Sequence, residues 1–499
     1  MKINIMYSML CREFHELVTE RIKNKFNVGN QIAITEMYAG NVSDFNDTFE
    51  CGDVYYGWYY KYKEYTDIPP VDEEIINKMA PYALEILKMM DRPQSWGMDF
   101  EDRMQLYFEH IRFWNYILDL YEINHIIFFN VPHEVVDLVI YYLCILKNIK
   151  MCIIYGALPI KNRILVCDSL ETLGNEIPTR IEEIKKEMLE TGKKDIFLEK
   201  DCEKAFRNYM NVKKYARSNP KSYKIPWKGD SQNKNLKYMT YMDIRHKIEE
   251  TYSERINGVE VAKKIAEYDN DPEKKIIKKK WIFDKYIKTM KLWNYYEKLT
   301  EKPNKNEKYI LYCLHYQPEA TSAPLGGGIF SNQLIAIKLL ADNLPDNVYL
   351  YVKEHPNQIY VARTKAFYDK IQRIKNVKLI SKNVNQYSLI KNSIATATLT
   401  GTVAIESIVI GKPCITMGKF IYNYLEGVFN VRTNEQCKLA IDKILKKEYT
   451  VEEKNIKIFF KALYDISFSG NSGYGNYNLI SNANKVAEVL EYKIRQDKE

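Results

Sequence analysis

The sequence predicts an α/β protein in which two regions built on parallel sheets are separated by a helical insertion. Residues from about 305 to 445 alternate short apolar runs with amphipathic stretches, which is the pattern of a doubly wound parallel sheet. Residues before about 180 contain a strand, a helix and a second strand within about 30 positions. The chain has 499 residues, so we expect two or three domains rather than one core.

Changes in composition divide the chain into four segments. We predict a first sheet domain at residues 1–180, a helical insertion at 181–304, a second sheet domain at 305–465 and a terminal segment at 466–499. The insertion is charged and helical in period, and proline and glycine residues interrupt it. The terminal segment contains a predicted helix that crosses back to the first domain.

In the first domain, the apolar runs at 123–130 and 150–156 are typical of buried parallel strands. Between them, apolar residues recur at helical spacing from Val135 to Leu146. The three elements therefore form one βαβ unit. A further amphipathic helix is predicted just before this unit, at 102–122.

In the second domain, the predicted strands lie at 309–315, 347–356, 377–381, 394–399 and 413–418. The stretches between these strands have the apolar spacing of helices. One of them, VARTKAFYDKIQRI, predicts a helix over 361–374. Strand and helix therefore alternate as a doubly wound sheet requires.

Composition narrows the classes of partner. The net charge is +8, from 73 basic and 65 acidic residues, which weakly favours an anionic ligand or a membrane surface and does not require nucleic acid. Nine cysteines without a CxxC pair argue against a disulfide framework or a zinc site and fit a reducing cytosol. The sequence begins without a signal-like stretch, and no run of about 18 apolar residues occurs. We therefore expect a cytoplasmic protein.

One stretch of the insertion, Lys274–Trp293, is basic and amphipathic. It could lie on anionic lipid headgroups at the inner face of the cytoplasmic membrane. The alternative is that it forms the solvated face of a connecting helix. The DxD at Asp269–Asp271 precedes a proline in a polar loop, so we interpret it as a turn. Neither a metal ion nor another cofactor is expected.

Polar clusters follow three predicted strands of the second domain. Because the carboxyl ends of parallel strands meet at one edge of a sheet, where open α/β folds bind ligands, we expect these clusters to share one crevice. The candidate binding residues are Gln317, Glu319, Lys353, His355, Thr400, Gly401, Thr402 and Glu406.

Each cluster suits an anionic nucleotide. Free N–H groups where Gly401 and Thr402 open a helix attract phosphate, and Glu406 one turn later could accept ribose hydroxyls. Lys353 and His355 are two residues apart on one strand face and could neutralise a departing phosphate. Structural interpretations stay open. Gly401 and Thr402 could simply begin a helix, as such residues commonly do, and His355 could cap the end of a strand.

The glycines at 326–328 also allow two interpretations. Three successive glycines form either a mobile loop with an anion-binding nest or a simple flexible connection. They lie in the same predicted strand-end loop as Gln317 and Glu319, just after His315.

The first domain offers candidates for a general base. His133, Glu134 and Asp137 lie near the end of a predicted strand, where one of them could deprotonate a sugar hydroxyl. The rival interpretation is a helix cap, because acidic residues favour first turns. Asp168, in the segment VCDSLE, is a second candidate for the base.

The segments HYQPEAT (315–321), VKEHP (352–356) and TLTGTVAIESIVIGKP (398–413) together resemble bacterial capsule and surface polysaccharide biosynthesis proteins. These are similar to the Kdo transferases of capsule assembly, whose QP and HP motifs line a CMP-sugar site in a two-domain GT-B fold. NVPHEVVDLVIYYLCILKNI (130–149) also resembles their first domain, and the match covers about 105–175 and 308–420.

The resemblance implies a GT-B-like fold with two Rossmann-like domains. It also implies that Gln317 and His355 contact the donor nucleotide and its phosphate, and that Thr402 and Glu406 lie at the nucleotide end. The acceptor and the base would come from the first domain, at Glu134 or Asp137. A GT-B enzyme stabilises the leaving phosphate with helix starts and cationic side chains, which agrees with the residues found here.

The sequence thus predicts a metal-independent glycosyltransferase that moves a sugar from a CMP- or NDP-activated donor to a surface or capsular glycan, free or lipid-linked. Two alternatives remain. One is a CDP-polyol phosphotransferase of the teichoic-acid type, and the other is a non-catalytic GT-B scaffold in glycan assembly. A sugar-nucleotide epimerase on the same fold is a more remote possibility.

Overall fold

The computed structural model describes residues 2–10, 13–35, 42–62, 68–91, 99–213, 288–358, 362–471 and 479–496. Most of the predicted helical insertion lies outside the described residues. The same holds for the turn at Asp269–Asp271 and for all of the basic stretch before residue 288.

Two sheets organise the described chain. The first contains β1 (Ile3–Leu10), β2 (Val28–Thr35), β3 (Asp47–Glu50), β4 (His125–Phe128), β5 (Lys150–Gly156), β6 (Arg163–Cys167) and β13 (Phe468–Ser469). The second contains β7 (Lys308–Cys313), β8 (Val348–Lys353), β9 (Val377–Ile380), β10 (Ala395–Thr398), β11 (Cys414–Thr416) and β12 (Val428–Asn430).

The order of the first sheet is β13-β6-β5-β4-β1-β2-β3, with antiparallel pairing of β6 to both β5 and β13 and parallel pairing elsewhere. The second sheet is parallel throughout, in the order β12-β11-β10-β7-β8-β9. The predicted α/β class, with two Rossmann-like sheet regions, is confirmed.

Helices cover both sheets. They are α1 (Glu13–Lys25), α2 (Cys51–Tyr55), α3 (Glu73–Met89), α4 (Phe100–Leu120), α5 (Val135–Leu146), α6 (Ile177–Thr191), α7 (Lys200–Met210), α8 (Gln333–Asp342), α9 (Lys365–Gln372), α10 (Gln386–Asn392), α11 (Val403–Ile410), α12 (Asn434–Lys446), α13 (Glu453–Ile466) and α14 (Leu479–Gln496). Residues 288–299 are also helical. In the described part of the chain, no helix combines the length and apolar character needed to span a bilayer.

Burial explains why the strands formed where the apolar runs predicted them. Tyr309, Ile310, Leu311 and Tyr312 of β7 are each at most 2% exposed. Because helices cover both faces of a parallel sheet, its central strands are apolar on every residue rather than on alternate ones. The Tyr309 ring stacks on Tyr351 of β8 with centroids 4.0 Å apart, which helps to hold these two neighbouring strands together.

Helix α9 differs from its prediction at both ends. The sequence pattern predicted 361–374, but the helix begins at Lys365, because the Thr364 side chain accepts a hydrogen bond from the Phe367 N–H and caps the first turn. Arg363 is therefore left in the preceding loop, where its side chain turns into the protein interior.

The end of the chain packs against the first sheet. Helix α13 contacts α6 and α7, β13 pairs with β6, and α14 contacts α1. The aromatic ring of Phe460 on α13 is fully buried against α7, with centroids 5.6 Å from Phe206 and 6.0 Å from Tyr209. The predicted domain boundaries themselves stay a prediction.

We expect Phe460→Ala to lower the free energy of unfolding by about 3–5 kcal/mol, because it removes a buried ring and leaves a cavity. Thermal unfolding followed by circular dichroism measures the effect. The control is Leu445→Ala, at a side chain that is 39% exposed on α12. If both variants unfold at the wild-type temperature, α13 does not hold the first domain as described.

Candidate functional site

The loop after β7 is tied to the loop after β10 by a buried histidine. His315 Nε2 accepts a hydrogen bond from the Thr400 N–H at 3.2 Å, and His315 Nδ1 lies 3.4 Å from Thr398 Oγ1. Since Nε2 accepts, the neutral ring carries its proton on Nδ1. Burial, followed by the nearby Arg363 cation, lowers the pKa of His315 to about 3, so the ring is neutral at physiological pH.

The same loop is tied to the loop after β8 through Gln317. Its backbone N–H donates to Gln358 Oε1 at 2.9 Å, and its carbonyl accepts from Gln358 Nε2 at 3.0 Å. Its side chain donates to the Ser331 carbonyl and accepts from Arg363. All four polar groups of Gln317 therefore bind within the protein, and the residue is 5% exposed.

A buried ion pair joins these loops. Arg363 Nε donates to Glu354 Oε2 at 2.9 Å, and both side chains are 1% exposed. The guanidinium also donates to the His315 carbonyl at 3.0 Å. The Glu354 carboxylate accepts further bonds from the Tyr368 hydroxyl at 2.8 Å and from the His355 N–H at 2.7 Å. The pair thus fixes the backbone on which both the QP and HP residues lie.

The three strand ends therefore converge, as the parallel topology predicted. The rings of Tyr316 and His355 have centroids 5.8 Å apart, and a Cβ added to Gly401 would lie 3.2 Å from His315 Cε1. Side chains separated by up to 85 positions in the sequence thus form one cluster at the carboxyl edge of the second sheet.

The cationic candidates lie at the end of β8. Lys353 is 6% exposed, and His355 is half-buried with its Nδ1 accepting from the Asn357 N–H at 3.2 Å. Lys382 Nζ lies 2.9 Å from the centroid of the Trp293 ring, and burial lowers the pKa of Lys382 to about 8 although the carboxylates of Glu297 and Glu354 oppose the shift.

The start of α11 is less open to phosphate than the sequence suggested. The N–H of Thr400 donates to His315, and the N–H of Gly401 donates to Thr398 Oγ1 at 3.3 Å. Glu406 is fully buried, and its two oxygens accept from the Thr402 hydroxyl at 3.1 Å and from Gln386 Nε2 at 3.0 Å. Thr402 is half-buried at the helix start. Nucleotide binding by these residues stays a prediction.

Glu319 caps a turn in the loop after β7. Its side chain accepts from the Ala320 N–H at 3.2 Å, and its carbonyl accepts from the N–H groups of Ser322 and Ala323. The chain then enters the glycines at 326–328. Gly327 and Gly328 have positive φ angles of 73° and 54°, which side chains rarely adopt. A role of Glu319 in donor binding stays a prediction.

The base candidates lie at the edge of the first sheet, between β4 and α5. The Asp137 side chain accepts from the His133 N–H at 3.2 Å, so it caps the first turn of α5. His133 Nδ1 lies 2.6 Å from the Val131 carbonyl, and its Nε2 lies 3.7 Å from Glu134 Oε1. Asp168 is exposed just after β6. Their catalytic roles stay predictions.

Several residues of the cluster were missed by the sequence reasoning. Glu354 was inside a quoted motif without a role, and Arg363 was placed in a helix. Gln358 and Gln333 end two strand-end segments but were given no role, although Gln333 exchanges two hydrogen bonds with the backbone of His315. The one available signal was the threonine at 364, a common N-cap, which would have excluded Arg363 from the helix.

Metal ligands and cavities add little to this picture. Across the residues that the structure describes, no group of three or more His, Cys, Asp and Glu side chains is arranged to hold a metal ion. Metal independence stays a prediction.

A cavity of about 350 Å³ lies away from the strand-end cluster, between α6 and α13, where Ile181, Tyr424 and Ile458 line it. We place the candidate site at the strand ends because the polar groups converge there.

The fold and this cluster define an α/β protein with a polar site at a sheet edge, and part of its sequence matches a known family. Residues 226–459 match the sequence profile of a family described as "Capsule polysaccharide biosynthesis protein". The predicted resemblance to that family is thereby confirmed over this segment. The part of the resemblance at 105–175 lies outside the matched segment and stays a prediction. No curated protein matches the sequence.

Solved structures to which the chain is similar include two transferase structures and an epimerase. The Thermosulfurimonas dismutans KpsC beta Kdo 2,7 transferase is 15% identical, with 40% of this chain and 60% of that chain covered and a TM-score of 0.24. The corresponding beta Kdo 2,4 transferase is 18% identical, with 41% and 63% covered and a TM-score of 0.23. This chain therefore spans less than two thirds of either transferase chain. A Methanocaldococcus jannaschii UDP-GlcNAc 2-epimerase is 11% identical, with 98% and 99% covered and a TM-score of 0.26.

We expect Arg363→Met to lower the free energy of unfolding by about 3–5 kcal/mol, because it leaves the Glu354 carboxylate buried without its cation. Urea unfolding measures the loss. Adding Glu354→Gln should restore part of it, because the unpaired charge is then removed. The control is Lys375→Met, which breaks an ion pair with Asp346 whose side chains are 76% and 87% exposed and should cost at most about 1 kcal/mol.

His315 gives a prediction about pH. Its pKa is about 3 in the folded protein and about 6.5 when unfolded, so below about pH 6.5 only the unfolded chain takes up the proton. The stability advantage of wild type over His315→Gln should therefore be constant above that pH. On acidification it should shrink by about 1.4 kcal/mol per pH unit. Urea unfolding of both proteins at about pH 7.5 and about pH 5.5 tests this, and an unchanged difference contradicts a buried neutral ring.

Proposed function

We propose that the protein is a glycosyltransferase of capsule polysaccharide assembly. It transfers a sugar from a nucleotide-activated donor, a CMP- or NDP-sugar, to a surface or capsular glycan that is free or lipid-linked. The convergence of the three strand ends carries this proposal. It brings cationic, hydroxyl and carboxylate groups together in a chain that matches a capsule polysaccharide biosynthesis family.

Within this proposal, Lys353 and His355 stabilise the charge that develops on the leaving phosphate. Thr402 and Glu406 lie where the nucleoside binds, with Thr400 and Gly401 shaping the backbone around it. Gln317 acts by holding the two loops in register, because its polar groups already bind Gln358, Arg363 and Ser331. No metal is required in this scheme.

The acceptor approaches from the first sheet. His133, Glu134 or Asp137 would then supply the base that deprotonates its hydroxyl. Of these, Glu134 is the best placed to act, because Asp137 already accepts the His133 N–H at the start of α5. The proposed reaction takes place in the cytoplasm, with peripheral contact to the membrane where a lipid-linked acceptor is used.

The proposal predicts selective binding of one nucleotide class. In a thermal-shift panel of CMP, CDP, UDP, GDP and TDP compounds, the nucleotide that binds the folded state should raise the unfolding midpoint. His355→Ala should abolish most of that shift and lower turnover of the matching nucleotide sugar on the order of 100-fold. Asn357→Ala is the matched control, because this neighbouring side chain is exposed and its backbone bond to His355 is kept.

The same panel separates the alternatives. Binding and turnover of a CDP-polyol would identify a polyol phosphotransferase, and conversion of a nucleotide sugar without an acceptor would identify an epimerase. Nucleotide binding with no turnover of any donor would favour a scaffold. Wild-type binding and turnover in His355→Ala would rule out the proposed site.

A further inference from the structure

A carboxylate of the first domain reaches into the glycine loop of the second. Glu85 on α3 accepts a hydrogen bond from the Gly328 N–H at 3.2 Å through one oxygen and from the Tyr142 hydroxyl at 2.8 Å through the other. One turn further, Lys88 Nζ donates to the Ser331 carbonyl at 3.3 Å. These two contacts join the domains beside the strand-end cluster, because Ser331 also accepts the Gln317 side chain.

Two cations lie near the Glu85 carboxylate without forming an ion pair with it. The Arg432 guanidinium donates to the carbonyls of Gly326 and Met417, and Lys419 forms an ion pair with Glu171. Both cations interact electrostatically with Glu85. Burial lowers the pKa of Lys419, to about 8, and that of Arg432. The Gly328 N–H thus contacts the Glu85 oxyanion directly, and two partly buried cations lie nearby.

The glycine loop is shaped to let these groups meet. A Cβ on Gly327 would lie 3.1 Å from Arg432 Nη1, so a side chain there would push the guanidinium away. Gly327 also has a φ of 73°, which favours glycine independently of space. The Arg432 guanidinium lies against the backbone of Gly327, and the N–H of the next residue points to a carboxylate. This combination of a cation and a backbone N–H is typical of an anion-binding site.

We propose that Arg432, Lys419 and the Gly328 N–H form an oxyanion-binding site at the domain junction, and that Glu85 occupies it when no ligand is bound. The ligand is a phosphate or a carboxylate group. When it enters, α3 withdraws Glu85 and the ligand oxygens take over the Gly328 N–H and the cations. The site includes the glycine loop for which the sequence allowed an anion-binding nest, but Glu85, Lys419 and Arg432 were not predicted, and its existence does not depend on the proposed transferase activity.

The contacts of Glu85 indicate that a ligand could displace its side chain from the site. In the described part of the chain, both groups that donate hydrogen bonds to it are uncharged. Desolvation by burial raises the pKa of this carboxyl group above its usual value, in spite of the two cations. A carboxylate so poorly compensated is stabilised less than a ligand that contacts the cations directly.

The test uses the full chain and titrates inorganic phosphate and, separately, glucuronate by calorimetry. Glu85→Gln should bind the preferred anion about tenfold more tightly. If the Glu85 carboxylate fills the site about nine-tenths of the time, only about one molecule in ten is free to bind, and the apparent affinity of the wild type is lowered about tenfold. Arg432→Met should weaken binding by about tenfold or more. Tighter binding of phosphate identifies a phosphate group as the ligand, and tighter binding of glucuronate identifies a sugar carboxylate.

Matched controls are Glu74→Gln, on an exposed position of α3, and Arg373→Met, on an exposed position of the second domain. Both should bind as wild type does. If Arg432→Met fails to fold, Lys419→Gln replaces it and should also weaken binding. Unchanged or weaker binding of both anions by Glu85→Gln overturns the proposal. His355→Ala tests the donor site separately. If that variant keeps wild-type activity, the proposed donor site is wrong and the oxyanion site is unaffected. If Glu85→Gln fails to bind anions more tightly, the oxyanion site is wrong and the proposed donor site is unaffected.

Discussion

The candidate site depends on the buried ion pair between Glu354 and Arg363. The loops after β7 and β8 are also joined by the hydrogen bonds between Gln317 and Gln358, but those bonds are between uncharged groups. Arg363 also binds the His315 carbonyl, and His315 in turn holds the N–H of Thr400. One guanidinium thus fixes, directly or through one neighbour, all three strand ends. An arginine suits this position because its planar fork satisfies several acceptors at once.

Burying such an ion pair costs desolvation free energy, and the hydrogen bonds to the Glu354 carboxylate offset this cost. Every oxygen of Glu354 that faces the interior receives a donor from Arg363, Tyr368 or the His355 backbone. Charges that are fully hydrogen-bonded in this way define one arrangement of the loops, since any other would leave a buried charge unpaired. The His355 ring is thereby presented at the surface from a rigid backbone.

The sequence revealed the sheets far better than the site. Apolar runs such as the one at 309–313 predict buried strands because parallel sheets are covered on both faces. The convergence of His315, His355 and Thr400 followed from strand direction alone. The contacts of Glu354, Arg363 and Glu85 did not, because an ion pair or a contact between domains depends on three-dimensional packing that has no local pattern. The buried state of Glu406 was missed for the same reason.

The chain passes from the first sheet to the second and then returns to the first. It leaves the first sheet after α7, builds the second, and returns through α13, which packs on α6. A strand and a helix then secure the end of the chain beside β6 and α1. Because Phe460 of α13 packs on Phe206 and Tyr209 of α7, displacement of α13 from α7 would expose a fully buried ring to water. The end of the chain therefore completes the packing of the first sheet, although the second sheet lies between them in the sequence.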